Sequence, residues 1–155
     1  MMTRRGVQFA CVALLLLCGG YAMADGLKTV ESHFGPKETL DRLEADVKAK
    51  GLTVFARIDH AAGATAVGLS LLPTAVLIFG NAKGGTPLMQ SNQLIGIELP
   101  LKVLVWQDTS GKTWLSYVDP ADLAKRYGLP AETSTAVSNL AGALRSLTAK
   151  AAGAE

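Results

Sequence analysis

The sequence contains 155 residues, of which 15 are Lys or Arg, 13 are Asp or Glu, and 49% are apolar. This length suits one ordinary domain, and the apolar fraction excludes a largely disordered chain. A formal net charge of +2 is too small to indicate nucleic-acid binding, which needs a basic face.

Residues 1–24 have the three parts of a secretory signal peptide. Two arginines supply positive charge, residues 7–17 are apolar, and small residues precede a cleavage site after Ala24. The apolar run is shorter than the roughly 20 residues that span a membrane. We therefore predict cleavage before Asp25, export to the periplasm or another extracytoplasmic space, and no stable membrane insertion. An uncleaved anchor is the alternative.

Cleavage at this position changes what the composition implies. The leader holds Arg4, Arg5, Cys11 and Cys18, so residues 25–155 carry 13 basic residues, 13 acidic residues and no cysteine. A disulfide, a thiolate nucleophile and a cysteine-ligated metal are then excluded. We predict that residues 25–155 form a single neutral domain, large enough to fold without a disulfide.

The first half of this domain alternates between predicted strands and helices. Pro36 suits the first position of a helix, and apolar residues at spacings of three and four follow it up to a stop at Gly51. The unbroken apolar run at residues 75–79 is typical of a central strand covered on both faces. The predicted elements are a strand at 27–34, a helix at 36–50, a half-buried strand at 52–60, a short Ala- and Gly-rich helix at 60–70, and the strand at 75–79.

The second half contains a hairpin between helices. Thr86 and Pro87 resemble an N-cap and a first helical residue, so residues 80–85 are predicted as a loop before a short helix. Alternating apolar residues predict two strands joined by a turn. The predicted elements are a helix at 86–93, strands at 99–107 and 112–118, and helices at 120–128 and 132–150, with a frayed tail.

The predicted order is β-α-β-α-β-α-β-β-α-α. A hairpin is antiparallel, so this order favours an α+β fold, an antiparallel sheet of about five strands with helices mainly on one face.

An ordered series of motifs carries a family resemblance. The motifs are Leu71-Leu72-Pro73-Thr74, Ile78-Phe79-Gly80-Asn81, Lys83-Gly84-Gly85-Thr86-Pro87-Leu88-Met89-Gln90, Gly96-Ile97-Glu98-Leu99-Pro100-Leu101-Lys102, Trp106-Gln107-Asp108, Gly111-Lys112, Ser116-Tyr117 and Asp119-Pro120. With them the chain resembles the "domain of unknown function 302" family. The resemblance implies a small fold similar to that of the TATA-binding protein, and a homodimer. It implies no activity, cofactor or catalytic residue, and likeness of fold implies no DNA binding.

The leading candidate site is the surface near His60, Asn81, Lys83, Thr86 and Met89. A phosphate-binding loop needs a lysine immediately before its serine or threonine, and glycine holds that position here. We therefore predict a non-enzymatic domain that binds a small ligand or serves as an accessory module. A purely structural homodimer is an alternative.

His60 supports a second alternative, because imidazole titrates near neutral pH. It could serve as the general base of a hydrolase or isomerase, with Asp59 or Lys83 nearby. A copper site formed by His33, His60 and Met89 also matches ligand preferences, but no ligand repeat supports it. We predict no metal and no cofactor.

A weaker set of candidates lies on the hairpin. Glu98, Lys102 and Trp106 are spaced to share one strand face, and Tyr117 lies on the return strand. Aromatic and polar groups together can line a ligand pocket, although core or dimer packing is the commoner use of such aromatics.

Overall fold

A computed structural model describes residues 26–154 of the chain, and the predicted signal peptide lies outside them. The strands are β1 Leu27–Ser32, β2 Thr53–Asp59, β3 Thr74–Gly80, β4 Leu101–Gln107 and β5 Thr113–Val118. The α-helices are α1 Pro36–Ala49, α2 His60–Ala66, α3 Ala82–Ser91, α4 Pro120–Arg126 and α5 Ser134–Ala152. Two 3₁₀ helices, Gln93–Ile97 and Ala131–Thr133, complete the order.

The five strands form one antiparallel sheet in the order β1-β5-β4-β3-β2. Strands β4 and β5 form the predicted hairpin, while β1 and β2 occupy the two edges. The sequence of strands and α-helices is the predicted one, and the prediction of an α+β fold is confirmed.

Side chains alternate across the sheet, so that one face packs under α1 and α5. Leu77, Phe79 and Val103 of the central strands are fully buried on this face, as are Leu43 of α1 and Leu144 of α5. On the opposite face, β3 presents side chains that are only half-buried. The prediction that β3 is covered on both faces is therefore wrong for the described part of the chain.

The start of α3 differs from the prediction. Asn81, not Thr86, is the N-cap, and its Oδ1 accepts a hydrogen bond of 2.7 Å from the Gly84 backbone N–H. Asparagine is at least as good a cap as threonine, so the helix begins earlier and Pro87 falls inside it. Residues 82–85, predicted as a loop, are therefore helical.

Two further boundaries differ. Residues 93–97 form a 3₁₀ helix that ends at Glu98, and β4 begins only at Leu101. At the other end of the chain α5 extends to Ala152, which is fully buried, and Gly153 ends it with a positive φ of 75°. The predicted fraying after residue 150 is therefore wrong, because this segment packs beside β1.

The β4–β5 turn is organised by the carboxylate of Asp108. Its Oδ1 accepts hydrogen bonds from Ser110 and from the Lys112 backbone N–H, and its Oδ2 accepts one of 2.8 Å from Trp114 Nε1. These donors favour the charged form, and those from the Ser110 hydroxyl and Trp114 contribute most. Together they lower the pKa of Asp108 from 3.8 to about 2.

We expect Asp108→Asn to be less stable than the wild type at neutral pH, with the difference shrinking in acid. A carboxyl whose pKa is lower in the folded state stabilises the fold above its unfolded pKa and loses this effect as protons bind. The loss should occur as the pH falls from 3.8 to about 2. Urea denaturation across this range measures it, and a constant difference between the two proteins would contradict the assignment.

Candidate functional site

A cavity of about 610 Å³ opens where the end of β3 and the first turn of α3 meet α5. The start of β2, the 3₁₀ helix at Gln93–Ile97 and the segment entering β4 complete its walls. Its volume lies within the range of ordinary small-ligand pockets. The lining residues are Leu52, Phe55, Gly80, Asn81, Ala82, Lys83, Gly84, Gly85, Met89, Gly96, Leu99, Pro100, Leu101, Asn139, Leu140 and Ala143.

The lining is mainly apolar, and within residues 26–154 it contains one ionisable group, the ammonium of Lys83. No aspartate or glutamate of this range lines it, and the remaining polar side chains are the amides of Asn81 and Asn139. All three polar residues are exposed, whereas Leu101 is buried and Leu140 half-buried. The three polar groups are therefore open to solvent, while the buried and half-buried part of the lining is apolar.

Glycines let α3 lie close to its neighbours at this chamber. A Cβ atom on Gly84 would lie 3.1 Å from Leu140 Cδ2, and one on Gly85 would lie 3.3 Å from Leu99 Cδ1. Both distances are tighter than ordinary carbon contacts. The two glycines therefore fix how near the first turn of α3 comes to α5 and to the segment before β4.

Phe55 is a cavity residue that the sequence prediction missed. It is 57% exposed and lies where the β2–β3 pairing shifts register. Such a bulge re-aims a side chain, and Phe55 lines the cavity here. The sequence did contain a signal for Phe55, since an aromatic residue stands at a position where the alternation of β2 predicts a polar one. Asn139 and Ala143 of α5 were also missed, and their spacing in the sequence gives no signal.

The structure gathers part of the leading candidate set. Asn81, Lys83 and Met89 line the cavity, whereas Thr86 is exposed and does not. His60 is exposed at the start of α2, beside Asp59, which pairs with Ala75 at the opposite end of β3. The length of β3 separates the two ends by roughly 20 Å. His60 and Lys83 therefore do not share a site, and the general-base hypothesis gains no partner from Lys83.

The three residues of the copper hypothesis are also dispersed. His33 follows β1 and His60 follows β2, which are the opposite edges of the sheet. Met89 lines the cavity. Within residues 26–154, no three histidine, cysteine, aspartate or glutamate side chains are grouped to hold a metal ion.

The sheet face opposite α1 and α5 carries Trp106, which stacks on Trp114 with ring centroids 6.2 Å apart. Trp106 Nε1 donates a 2.9 Å hydrogen bond to Ser116 Oγ, which lies 3.0 Å from Thr29 Oγ1. Lys102 lies on the same face, and its ammonium donates to the Glu98 carbonyl. This set joins β1, β4 and β5 and lies apart from the cavity.

Glu98 does not share the strand face of Lys102 and Trp106, because the chain there is a 3₁₀ helix end and not a strand. Its carboxylate accepts hydrogen bonds from Arg126 (3.3 Å) and the Tyr127 hydroxyl (3.1 Å). It therefore ties the chain before β4 to the end of α4.

Tyr117 is in the core, on the face covered by α5, and only 5% of it is exposed. Burial raises the pKa of its phenol, while a hydrogen bond with Thr148 opposes the shift. The side chain packs inside the protein and is not among the residues that line the cavity.

Comparison with known proteins identifies relatives of the whole domain. A family model described as "Domain of unknown function DUF302" matches residues 28–147. A crystal structure of an uncharacterized conserved protein DUF302 from Bacillus stearothermophilus superposes with a TM-score of 0.73 at 23% identity. The superposition covers 83% of this chain and 99% of the Bacillus stearothermophilus chain. At this identity the likeness concerns the fold alone.

Two curated relatives are named fluoride-specific ion channel FluC 1. The proteins of Brucella suis biovar 1 (strain 1330) and Brucella abortus biovar 1 (strain 9-941) are each 45% identical over 128 residues, or 83% of this chain. The chain spans 50% and 47% of their lengths. No helix within residues 26–154 is long and apolar enough to cross a membrane.

Proposed function

The chain belongs to the family of the domain of unknown function DUF302, and we propose that it is an exported, non-enzymatic domain that binds a small molecule. The observation that carries this proposal is the cavity of about 610 Å³ between β3, α3 and α5. Concave, mainly apolar chambers with a few polar groups are typical of small-molecule sites.

The walls of the cavity favour binding over catalysis. Apolar side chains such as Leu99, Leu140 and Ala143 offer contact area to a ligand, and burying that area contributes about 25 cal/mol per Å². Acid–base catalysis needs a positioned group that titrates near the working pH. Among the lining residues that the structure describes, only Lys83 is ionisable, so no second ionisable group lines the cavity there.

Titration with the apolar dye N-phenyl-1-naphthylamine tests the proposal. We expect saturable binding of one dye per chain with enhanced emission, because the dye leaves water for an apolar chamber. Leu69→Asp is the control for adhesion to the surface, since Leu69 is 67% exposed and lies outside the cavity. The cavity is formed within one chain, so this variant should bind the dye whether or not it forms a dimer. Dye binding that Leu69→Asp removes, or no saturable binding at all, would contradict the proposal.

A homodimer is part of the same proposal. The α2 helix has no buried residue, and the segment after it exposes Val67, Leu69, Leu71 and Leu72. Clustered exposed apolar side chains are typical of interaction surfaces. Light scattering should give a mass of two chains for the wild type and of one chain for Leu69→Asp. A wild-type monomer at high concentration would contradict this part.

An accessory role beside a membrane channel is the second candidate. It is favoured by the 45% identity to one half of proteins named as fluoride-specific ion channels. We propose that the domain works at the membrane surface after export. Co-expression with a fluoride channel and affinity purification of the domain should recover both proteins. Failure to co-purify would contradict the accessory role.

Export is tested by the intact mass of the protein, which should match a chain that begins at Asp25. A retained leader would contradict the predicted cleavage.

A further inference from the structure

We infer that the cavity selects an apolar molecule bearing one negative charge, whose head group pairs with Lys83 while its tail occupies the chamber. This inference rests on the proposed ligand-binding function and specifies the ligand class.

The charge balance of the cavity is one-sided. Of residues 26–154, Lys83 is the only ionisable one that lines the cavity, so this part of the chain gives the site one positive charge and no compensating carboxylate. Lys83 is exposed in the free protein, and a ligand that covers it would bury its charge, which is unfavourable without a partner of opposite charge. A cationic ligand would be repelled by Lys83, with no carboxylate of the lining to offset the repulsion, whereas a ligand with one negative charge is complementary to the site.

Lys83 is free to form this pair. Among residues 26–154 its ammonium makes no ion pair, whereas Lys37, Lys48, Lys112 and Lys125 are each paired with a carboxylate. An ammonium is a compact charge on a flexible stem with three donors. It can therefore reach an anionic head group at the solvent side without displacing an existing partner.

The distribution of polar groups orients the ligand. Asn81 and Asn139 are exposed and line the same cavity as Lys83, and their amides can donate further hydrogen bonds to an anion. The half-buried part of the lining, which includes Leu99 and Leu140, offers no charge. A molecule with a charged head and an apolar tail fits both regions, whereas a small inorganic anion would leave the apolar chamber unused.

Calorimetric titration with decanoate and with decanol tests the inference, because the two probes share a tail and differ in charge. We expect decanoate to bind the wild type about twofold to fivefold more tightly than decanol, which is the range for an exposed charged pair. Lys83→Met should remove this preference by weakening decanoate binding more than decanol binding. Raising the salt concentration should weaken only decanoate.

Lys37→Met is the matched control, since it makes the same change in net charge at the start of α1, away from the cavity. It should keep the preference for decanoate. Equal binding of the two probes to the wild type, or equal weakening of both by Lys83→Met, would overturn the charge selection while leaving the cavity as an apolar site. If neither probe binds and the dye does not bind either, the proposed function itself fails.

Discussion

Ala143→Phe should weaken dye and decanoate binding at least tenfold while the protein remains folded. Ala143 lies on α5 and lines the cavity, where it is half-buried. A phenyl ring at this position occupies space that the ligand needs, and the open chamber lets it enter without the cost of overpacking a filled core. Calorimetric titration gives the affinity, and thermal unfolding shows that the fold is kept.

Ser146→Phe is the matched control on the same helix. Ser146 is exposed and does not line the cavity, so the same added ring should leave ligand affinity unchanged. If both variants bind as the wild type does, the ligand occupies another surface. If both lose binding equally, the effect comes from α5 as a whole and not from the filled chamber.

Phe79→Ala should lower the free energy of unfolding by about 3–5 kcal/mol, the usual cost of truncating a buried phenylalanine. Phe79 is fully buried on β3 and belongs to the core beneath α1 and α5. Its removal leaves a void immediately before Gly80 and Asn81, the residues that lead into α3. Guanidinium denaturation measures the loss.

Phe55→Ala is the comparison that separates burial from side-chain type. Phe55 lies on the neighbouring strand but is 57% exposed, so we expect a loss below about 1 kcal/mol, in keeping with the usual tolerance of surface positions. Dye binding should weaken in this variant, because the ring lines the cavity. Equal destabilisation by the two substitutions would show that the core is not centred on Phe79.

Most of the fold could be predicted from periodicity. The apolar face of α5, with Val137, Leu144 and Leu147, packs inward as its spacing predicts. The hydrophobic pattern predicted the helix boundaries less accurately. Asn81 and Thr86 are both acceptable caps, and the choice between them depends on where β3 ends, which is decided by tertiary packing.

The candidate site was harder to predict, because its members come from distant parts of the chain. Lys83 and Met89 both lie on α3, and the glycine-rich sequence around them identified this segment as a candidate site. Phe55 and Ala143 reach the same cavity from β2 and α5. Only the pairing of β2 with β3 and the docking of α5 bring these residues together, and neither leaves a motif in the sequence.

The irregular pairing at Phe55 has a consequence for colloidal behaviour. Strand β2 is an edge strand of the sheet. A regular edge strand exposes a row of backbone N–H and C=O groups to which a strand of another chain can hydrogen-bond. The register shift between Val54 and Ala56 interrupts that row. Arg57, held by Asp41 and Glu44 of α1, places charge beside it. We therefore expect the register shift that places the Phe55 ring at the cavity also to disfavour aggregation by strand pairing at this edge of the sheet.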